Sequence, residues 1–262
     1  MASIHLKNVS LSFPIFTSKT RSFKNTLYTA VGGKINTHDK IICVDALDNI
    51  NLHIQDGDRI GLIGHNGSGK TTLLRVLSGI YEPSHGEAEI DGSVSSLTDI
   101  AMGMDPEEKG YKNIILRSIF MGMTFKEAKA QIPEIAAFSE LEAYLDMPAR
   151  TYSAGMFLRL AFAVSTSRVP DILILDEMIS AGDSRFKEKA KERIDQIIEK
   201  TKILVLASHQ ESILRNFCNK VIWLDKGKIK ALGGCDEVLA DYNAAVKRSK
   251  ESKQTGFQKN HG

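Results

Sequence analysis

The sequence predicts an α/β fold, in which buried strands alternate with helices and a mostly helical segment is inserted at about 100–160. Two apolar runs, residues 59–63 and 172–175, have the length and composition of buried strands. The first run leads through a glycine-rich turn into residues 71–80, where leucines at helical spacing predict an amphipathic helix. Strand, turn and helix in this order are typical of a parallel sheet covered by helices.

The N-terminal part has a different pattern of apolar and polar residues from the rest of the chain. Residues 1–13 place apolar side chains at every second position, which predicts a half-buried strand. From Pro14 to about Lys40 the alternation is lost among Ser, Thr, Lys, Asn and Gly, which indicates an inserted loop. Alternation returns in residues 46–54, so the insertion is placed at about 14–45.

Composition limits the protein class. The chain has 262 residues, of which 42% are hydrophobic and 25% charged, as in globular proteins that bury a core. A net charge of +2 is too balanced to predict nucleic-acid binding. No apolar run approaches the roughly 18–20 residues that cross a bilayer, and the N-terminus has no signal-peptide pattern. We therefore expect a main domain of residues 1–245 that reaches a membrane only through a partner, followed by a basic, disordered tail at 246–262.

The strongest chemical signal is a glycine-rich loop that fits the pattern GxxxxGK[ST] between a strand and a helix. Its backbone N–H groups can surround phosphate oxygens, and the following helix adds its positive end. Lys70 can reach the β- and γ-phosphates of ATP, and the Thr71 hydroxyl can bind Mg²⁺. An accidental match is expected in on the order of one such chain in a hundred, so nucleotide binding is favoured over a chance turn. The candidate loop consists of Gly64, His65, Asn66, Gly67, Ser68, Gly69, Lys70, Thr71 and Thr72.

Two further strands end in polar side chains. Asp176 and Glu177 follow the second buried run, and ligands of open α/β sheets lie at the carboxyl ends of strands. Asp176 is predicted near the metal, and Glu177 near the γ-phosphate as the general base that orients water. His209 follows the apolar strand 203–208 and can donate to a phosphoryl oxygen. The alternatives are solvated turn carboxylates and an ordinary surface histidine, which the phosphate loop makes less favoured.

Between these motifs, Tyr152-Ser153-Ala154-Gly155-Met156 resembles the signature sequence of ABC ATPases, and Ser180-Ala181-Gly182-Asp183 resembles their D-loop. The resemblance covers about residues 1–240. It implies a P-loop NTPase core with a mixed sheet, an N-terminal antiparallel β-subdomain and an inserted helical subdomain. It also implies ATP and Mg²⁺ as cofactors, and a head-to-tail dimer in which Ser153, Gly155 and Asp183 of one chain complete the site of the other. Ser153 is equally suited to be an ordinary helix N-cap, and both interpretations can hold.

The sequence departs from the family pattern at several points. Ala154 and Met156 replace the common glycine and glutamine of the signature, and no glutamine occurs between Gln55 and Gln131. The usual Q-loop residue is therefore missing, and the corresponding stretch is placed at Leu97–Pro106. The aromatic residue expected to stack on adenine is Phe13 or Phe16, although Phe13 can also be a core residue.

Within the family, the chain resembles the ATPase of polysaccharide exporters of the O-antigen and teichoic-acid type. The insertion, the signature Tyr-Ser-Ala-Gly-Met and the stretch Gly103–Ile114 carry this resemblance. It implies a second copy of the chain and an integral-membrane permease as partners, with a lipid-linked polysaccharide carried mainly by the permease and no nucleic acid. The expected location is the cytoplasmic face of the bacterial inner membrane. The alternatives are a teichoic-acid, drug or nutrient transporter, or a soluble ABC ATPase without a transport role.

Two regions are expected to matter at the membrane. The insertion is predicted to face the membrane partner or the lipid-linked substrate, with an inert loop as the alternative. The basic tail is predicted to be solubilising, with contact to anionic headgroups as the alternative. Only about 20 polar residues follow the core, too few for a glycan-binding domain, so the chain resembles the shorter kind of exporter ATPase.

Overall fold

The computed structural model describes residues 1–15, 34–38, 41–176 and 184–258. These residues form ten strands and seven α-helices, with 3₁₀ turns at Glu142–Tyr144 and Ala149–Thr151. The strands are β1 (Ser3–Ile15), β2 (Lys34–His38), β3 (Ile41–Gln55), β4 (Arg59–Ile63), β5 (His85–Asp91), β6 (Val94–Ser96), β7 (Ile172–Asp176), β8 (Ile203–Ala207), β9 (Lys220–Asp225) and β10 (Lys228–Gly234). The helices are α1 (Lys70–Leu77), α2 (Gly110–Phe120), α3 (Phe125–Ser139), α4 (Ala154–Ser165), α5 (Ser184–Lys200), α6 (Glu211–Phe217) and α7 (Cys235–Gln258).

The chain divides into two compact units, and the division passes through β8. One unit combines Met1–Ala2 with Asp91–Leu204, and the other combines Ser3–Ile90 with Val205–Gly262. We call the first the helical unit and the second the loop unit. Within the described ranges, no helix is both long and apolar enough to span a membrane.

The loop unit contains an antiparallel sheet with the strand order β2-β3-β1-β5. Alternate side chains of β1 and β3, such as Ile4, Leu6 and Ile54, are buried, as the period-two pattern predicts. The prediction of a loop from Pro14 to about Lys40 is wrong at 14–15, which continue β1, and at 34–38, which form β2. There β2 and β3 pair antiparallel, because these stretches are rich in β-branched residues that favour strands. The rest of the insertion, residues 16–33 and 39–40, lies outside the described residues.

The same unit contains part of a second sheet, with the neighbouring strands β10-β9-β4-β8. β4 pairs in parallel with β9, and β10 returns antiparallel to β9 in a hairpin. Continuous apolar sequence buries both faces of β4, as is typical of parallel strands. Leu73, Leu74 and Leu77 of α1 are fully buried, which confirms the predicted amphipathic helix.

The helical unit contains the neighbouring strands β8-β7-β6, of which β8 is shared with the loop unit, and a helical segment. β6 and β7 are parallel, with Ser96 opposite Ile174. Helices α2, α3 and α4 pack around a core of Ile114, Ile135, Ala136, Leu141, Leu145, Leu160, Ala163 and Val164. α3 begins with a capping box between Thr124 and Glu127, which satisfies the free N–H groups of its first turn.

The C-terminal tail differs from the prediction of disorder from residue 246 onward. Helix α7 continues to Gln258, and residues 259–262 lie outside the described part. Lys, Arg, Glu and Gln fill much of this stretch, and these are good helix formers that extend a helix already nucleated by packing. The N-terminal half of α7 supplies that packing through Val238 and Leu239, which are buried.

Candidate functional site

The glycine-rich loop connects β4 to α1, as the sequence predicts. Two of its glycines are required by close backbone approaches. A Cβ on Gly64 would lie 2.2 Å from the carbonyl oxygen of Leu224, and a Cβ on Gly69 would lie 2.7 Å from that of Ala46. Gly69 is also the N-cap of α1 with φ of 105°, a left-handed conformation that L side chains rarely adopt. The loop therefore has one tightly specified backbone path.

The β9–β10 hairpin braces this loop from the side. The N–H of Gly227 donates to the carbonyl of Ser68 at 2.9 Å, and the N–H of Asp48 donates to the carbonyl of Gly227 at 2.9 Å. The His65 ring contacts the same hairpin: Nε2 lies 3.0 Å from Asp225 Oδ1, while Nδ1 lies 2.7 Å from the carbonyl of Asn66. The sequence motif gave no sign of this brace, because its residues lie about 160 positions apart.

Three observations test whether the loop fits a polyphosphate. The N-terminus of α1 receives no hydrogen bond from a side-chain cap, so its first-turn N–H groups remain suited to an anion. Ser68 Oγ is buried and has no hydrogen-bond partner among the described residues. Lys70 Nζ donates to the loop's own carbonyls, Gly64 O at 2.8 Å and His65 O at 3.2 Å. A phosphate group fits this arrangement of N–H groups and ammonium.

The remaining predicted residues of the loop unit are accessible. Asn66, Gly67 and Thr71 are exposed, and Thr72 is half-buried. His209 is exposed and directly follows Ser208 at the end of the fully buried strand β8. These positions agree with residues that meet a ligand rather than fill a core.

Phe13 lies on the surface, with 38% of its area exposed. Its ring makes an edge-to-face contact with Tyr81, whose centroid is 5.5 Å away. Arg75 lies over the Tyr81 ring and donates from Nη1 to its hydroxyl at 3.0 Å. The interpretation of Phe13 as a core residue is therefore wrong, and an aromatic face suitable for stacking remains. Phe16 lies outside the described residues.

Asp176 ends β7 in the helical unit and is half-buried after four buried apolar residues. Its position at the carboxyl end of a parallel strand is the one predicted for a carboxylate near a metal. Glu177 and Asp183 lie outside the described residues. Of the predicted metal ligands, Thr71 belongs to the loop unit and Asp176 to the helical unit.

The signature-like sequence begins helix α4. Ser153 is its N-cap, and its Oγ accepts from the N–H of Met156 at 3.2 Å, which confirms the predicted cap. Ser153 is exposed, and a Cβ on Gly155 would meet only Ser153 Oγ, at 3.9 Å. Tyr152, the first residue of the signature-like sequence, anchors the segment by donating from its hydroxyl to the carbonyl of Tyr144 at 2.8 Å. Its hydroxyl occupies the place of a Cβ on Gly110, which explains the glycine at the start of α2.

The stretch at Leu97–Pro106, which lacks the family's glutamine, is organised by two buried polar residues of α2. Asn113 is fully buried; its Oδ1 accepts from the N–H of Asp105 at 2.7 Å, and its Nδ2 donates to the carbonyls of Asp105 and Glu108. Arg117 is 4% exposed and donates from Nη1 to the carbonyl of Met102 at 2.7 Å. Sequence analysis missed both residues, since buried polar groups give no periodic signal.

The fold and the loop together define a nucleotide-binding protein of the P-loop class. A glycine-built phosphate loop joins a buried parallel strand to a helix, and carboxylate and histidine side chains follow other strands of the α/β core. Comparison with known proteins makes this class more specific.

The ABC transporter family model matches residues 47–180, about half of the chain. The chain is 45% identical over 231 residues to the O-antigen export system ATP-binding protein RfbE of Yersinia enterocolitica, covering 87% of this chain and 97% of that protein. It is 40% identical to the O-antigen export system ATP-binding protein RfbB of Myxococcus xanthus, over 94% of this chain and 56% of that one. It is 39% identical to the teichoic acids export ATP-binding protein TagH of Lactococcus lactis, over 77% of this chain and 43% of that one. The chain thus spans about half the length of the last two relatives.

Solved structures agree on the fold. The dimeric post-hydrolysis ATP-binding cassette MJ0796, bound to ADP and Pi, superposes with a TM-score of 0.62 at 22% identity, covering 88% of this chain and 98% of that one. An ATP-binding subunit of an ABC transporter superposes with a TM-score of 0.65 at 19% identity, covering 92% and 93%. The chain belongs to the ABC transporter family and is an ATP hydrolase whose reaction is coupled to transport.

Proposed function

We propose that this chain is the ATPase of an exporter that moves a lipid-linked, O-antigen-like polysaccharide across the bacterial inner membrane. It would act at the cytoplasmic face, as a dimer bound to a separate membrane permease. The observation that carries this proposal is the 45% identity to an O-antigen export ATP-binding protein over nearly that protein's whole length. The wider ATPase assignment rests on the family, and the polysaccharide and its permease are the proposed extension.

At the nucleotide, the proposal gives each predicted residue a role in binding or hydrolysis. Lys70 and the N–H groups of the loop would bind the β- and γ-phosphates, and Phe13 would stack on adenine. Thr71 and Asp176 would hold Mg²⁺, which supplies charge neutralisation for phosphoryl transfer. Glu177 would orient the attacking water, and His209 would donate to the γ-phosphate. Most of the catalytic effect then comes from fixed positions and charges.

Dimerisation is supported by the signature segment. Ser153 is exposed, and Gly155 has open space where a Cβ would stand, so the fold of a single chain does not require glycine there. Glycine costs about 0.5–1 kcal/mol relative to alanine in the middle of a helix, and a smaller cost of the same sign is expected here in the first turn. A phosphate group of an ATP held by a second copy, approaching Ser153 and Gly155, accounts for that cost. Asp183 would meet the partner at the same interface.

The test compares wild type with Glu177→Gln in the native host, with Lys70→Ala as the matched loss-of-binding control. Surface polysaccharide is measured by gel analysis of the envelope, and internal lipid-linked glycan by mass spectrometry of the membrane fraction. We expect both variants to lose surface glycan and accumulate lipid-linked glycan inside. The purified Glu177→Gln protein should retain ATP binding and dimerise with ATP, whereas Lys70→Ala should do neither.

Each outcome distinguishes the parts of the proposal. Normal surface glycan in both variants contradicts the cargo while leaving the ATPase unaffected. The second candidate cargo is a teichoic acid, because the chain is 39% identical to a teichoic acid export protein. Accumulation of teichoic acid inside the cell would favour this candidate. Fast turnover of ATP by Glu177→Gln contradicts the role of Glu177.

A further inference from the structure

The loop after β6 holds the clearest feature that the proposed function leaves unexplained. Leu97 continues the pairing beyond β6, because its N–H donates to the carbonyl of Ile174 at 2.9 Å. The two strands are parallel, so the loop leaves the sheet at the edge where β7 ends in Asp176. This is the edge at which we place the metal. We call residues 98–104 the edge loop; it lacks the family's glutamine.

Arg117 of α2 joins the edge loop to the end of the signature helix. Its Nη1 donates to the carbonyl of Met102 at 2.7 Å, while Nε and Nη2 donate to Ser165 Oγ at 3.3 and 3.2 Å. Ser165, the last residue of α4, is itself buried and donates from Oγ to the carbonyl of Ile100 at 3.4 Å. Two carbonyls of the edge loop are thus tied to one guanidinium and one hydroxyl.

Phe120, one turn further along α2, packs against the edge loop at Gly103. Its ring lies 3.0 Å from the position of a Cβ on Gly103, which has φ of 82° and therefore needs glycine. The Arg117 guanidinium is also 5.6 Å from the centre of that ring. α2 consequently contacts the edge loop through both a buried cation and an aromatic side chain.

This arrangement is costly for stability. The hydrogen bonds of the guanidinium go to neutral oxygens, and burial lowers the pKa of Arg117 to about 10, with Asp99 opposing that shift by its charge. Apolar residues of similar volume often stabilise a buried site as well as a charged network does. A fully satisfied polar network instead fixes one geometry. The role of Arg117 is therefore expected to be the positioning of the two groups that it binds, the carbonyl of Met102 and the hydroxyl of Ser165.

We propose that Arg117 is a positioning residue for ATP hydrolysis, which holds the edge loop beside Asp176 and makes it move together with the signature helix. The inference rests on the proposed metal role of Asp176 and extends it to a residue that contacts neither nucleotide nor metal. A shift of α4 caused by a second chain at Ser153 would reach the edge loop through Ser165 and Arg117.

The test uses Arg117→Met, which keeps much of the side-chain length and removes the charge and the hydrogen bonds. We expect kcat for ATP to fall about tenfold or more, since small displacements at a reacting centre have effects of this size, while KM and the ATP dissociation constant change less than about twofold. Amide exchange in residues 98–104 should quicken about tenfold or more, with little change in α3. Arg117→Lys, which retains a charge and one donor for Met102, should restore part of kcat.

Arg193→Met is the matched control. Arg193 also has a mostly buried guanidinium and binds the end of the signature helix, donating from Nε to the carbonyl of Thr166 at 3.0 Å, and it pairs with Glu134. Among the described residues, Arg193 contacts Thr166, Glu134 and the ring of Phe138, all of which lie outside the edge loop. We expect Arg193→Met to lower thermal stability with kcat and edge-loop exchange within about twofold of wild type.

Unchanged kcat in Arg117→Met, or an equal loss in Arg193→Met, would overturn the proposal. If Arg117→Met does not fold, Arg117→Lys and Ser165→Ala decide in the same assays: normal kcat and exchange in both would also overturn it. Failure of the proposed function is separate, because it would appear as unchanged surface glycan in the host, whereas kcat is measured on the purified protein. Exchange in the edge loop is measured without hydrolysis and tests Arg117 in either case.

Discussion

The phosphate loop and the signature segment use glycine for different reasons. At Gly64 and Gly69 the space for a Cβ is already filled by backbone of the same chain, and the loop is braced by the β9–β10 hairpin. At Gly155 that space is open, and the neighbouring Ser153 is exposed. The first region is complete within one chain. The second has open space beside an exposed hydroxyl, and this is where we propose that a second chain approaches.

The largest expected effect is that of Gly64→Ala. A Cβ at 2.2 Å from a backbone carbonyl cannot be accommodated by a side-chain movement, so the loop or β9 must shift. We expect a loss of about 3 kcal/mol or more in the free energy of unfolding, together with loss of nucleotide binding. Chemical denaturation and a fluorescent ATP analogue measure the two effects. A Gly64→Ala variant with normal stability would show that the loop is not fixed by its own chain.

Gly155→Ala should separate function from folding. We expect the free energy of unfolding to stay constant or rise by less than about 1 kcal/mol, because alanine favours the helix and meets no atom closer than 3.9 Å. ATPase activity should fall about 10- to 100-fold, since the added methyl group would displace a phosphate bound from outside. Gly234→Ala, another glycine with open space, is the control and should leave activity unchanged. Full activity in Gly155→Ala would contradict the approach of a second chain at this position.

The features that the sequence could predict differ from those it could not in whether they depend on local spacing or on distant contacts. The loop, the strand carboxylate Asp176 and the cap at Ser153 depend on local spacing, so the motif alone placed them correctly. The brace at Gly227 and the buried Arg117 depend on contacts between distant parts of the chain, which no local pattern records. The strand at 34–38 was missed because polar residues interrupt its alternation, while pairing with β3 decides its structure.

Acid should weaken the helical unit through the carboxyl group of Asp171. Asp171 accepts from Nζ of Lys202 and from the N–H and Oγ of Ser93, and these contacts hold the pKa of its carboxyl far below the usual range. A depressed pKa stabilises the fold above the ordinary carboxyl pKa, and that stability is lost as pH falls through the lowered value. Asp171→Asn should therefore cost about 1 kcal/mol at pH 7, after allowance for partial exposure, and less as the pH is lowered toward 2. Thermal unfolding across this range measures the difference, and a cost independent of pH would contradict the assignment.

The smallest expected effect concerns the brace between His65 and Asp225. Both ring nitrogens of His65 face oxygen acceptors, a carbonyl and a carboxylate, so both hydrogen bonds form together only when the ring is doubly protonated. The pair is partly exposed, with 46% and 31% of the side chains accessible, and such pairs contribute less than about 1 kcal/mol. We expect His65→Ala and Asp225→Asn each to raise KM for ATP about two- to fivefold with kcat nearly unchanged, and the double variant to be no worse than either single one. Additive effects in the double variant would show that the two residues act separately, and that the backbone bonds of Gly227 alone brace the loop.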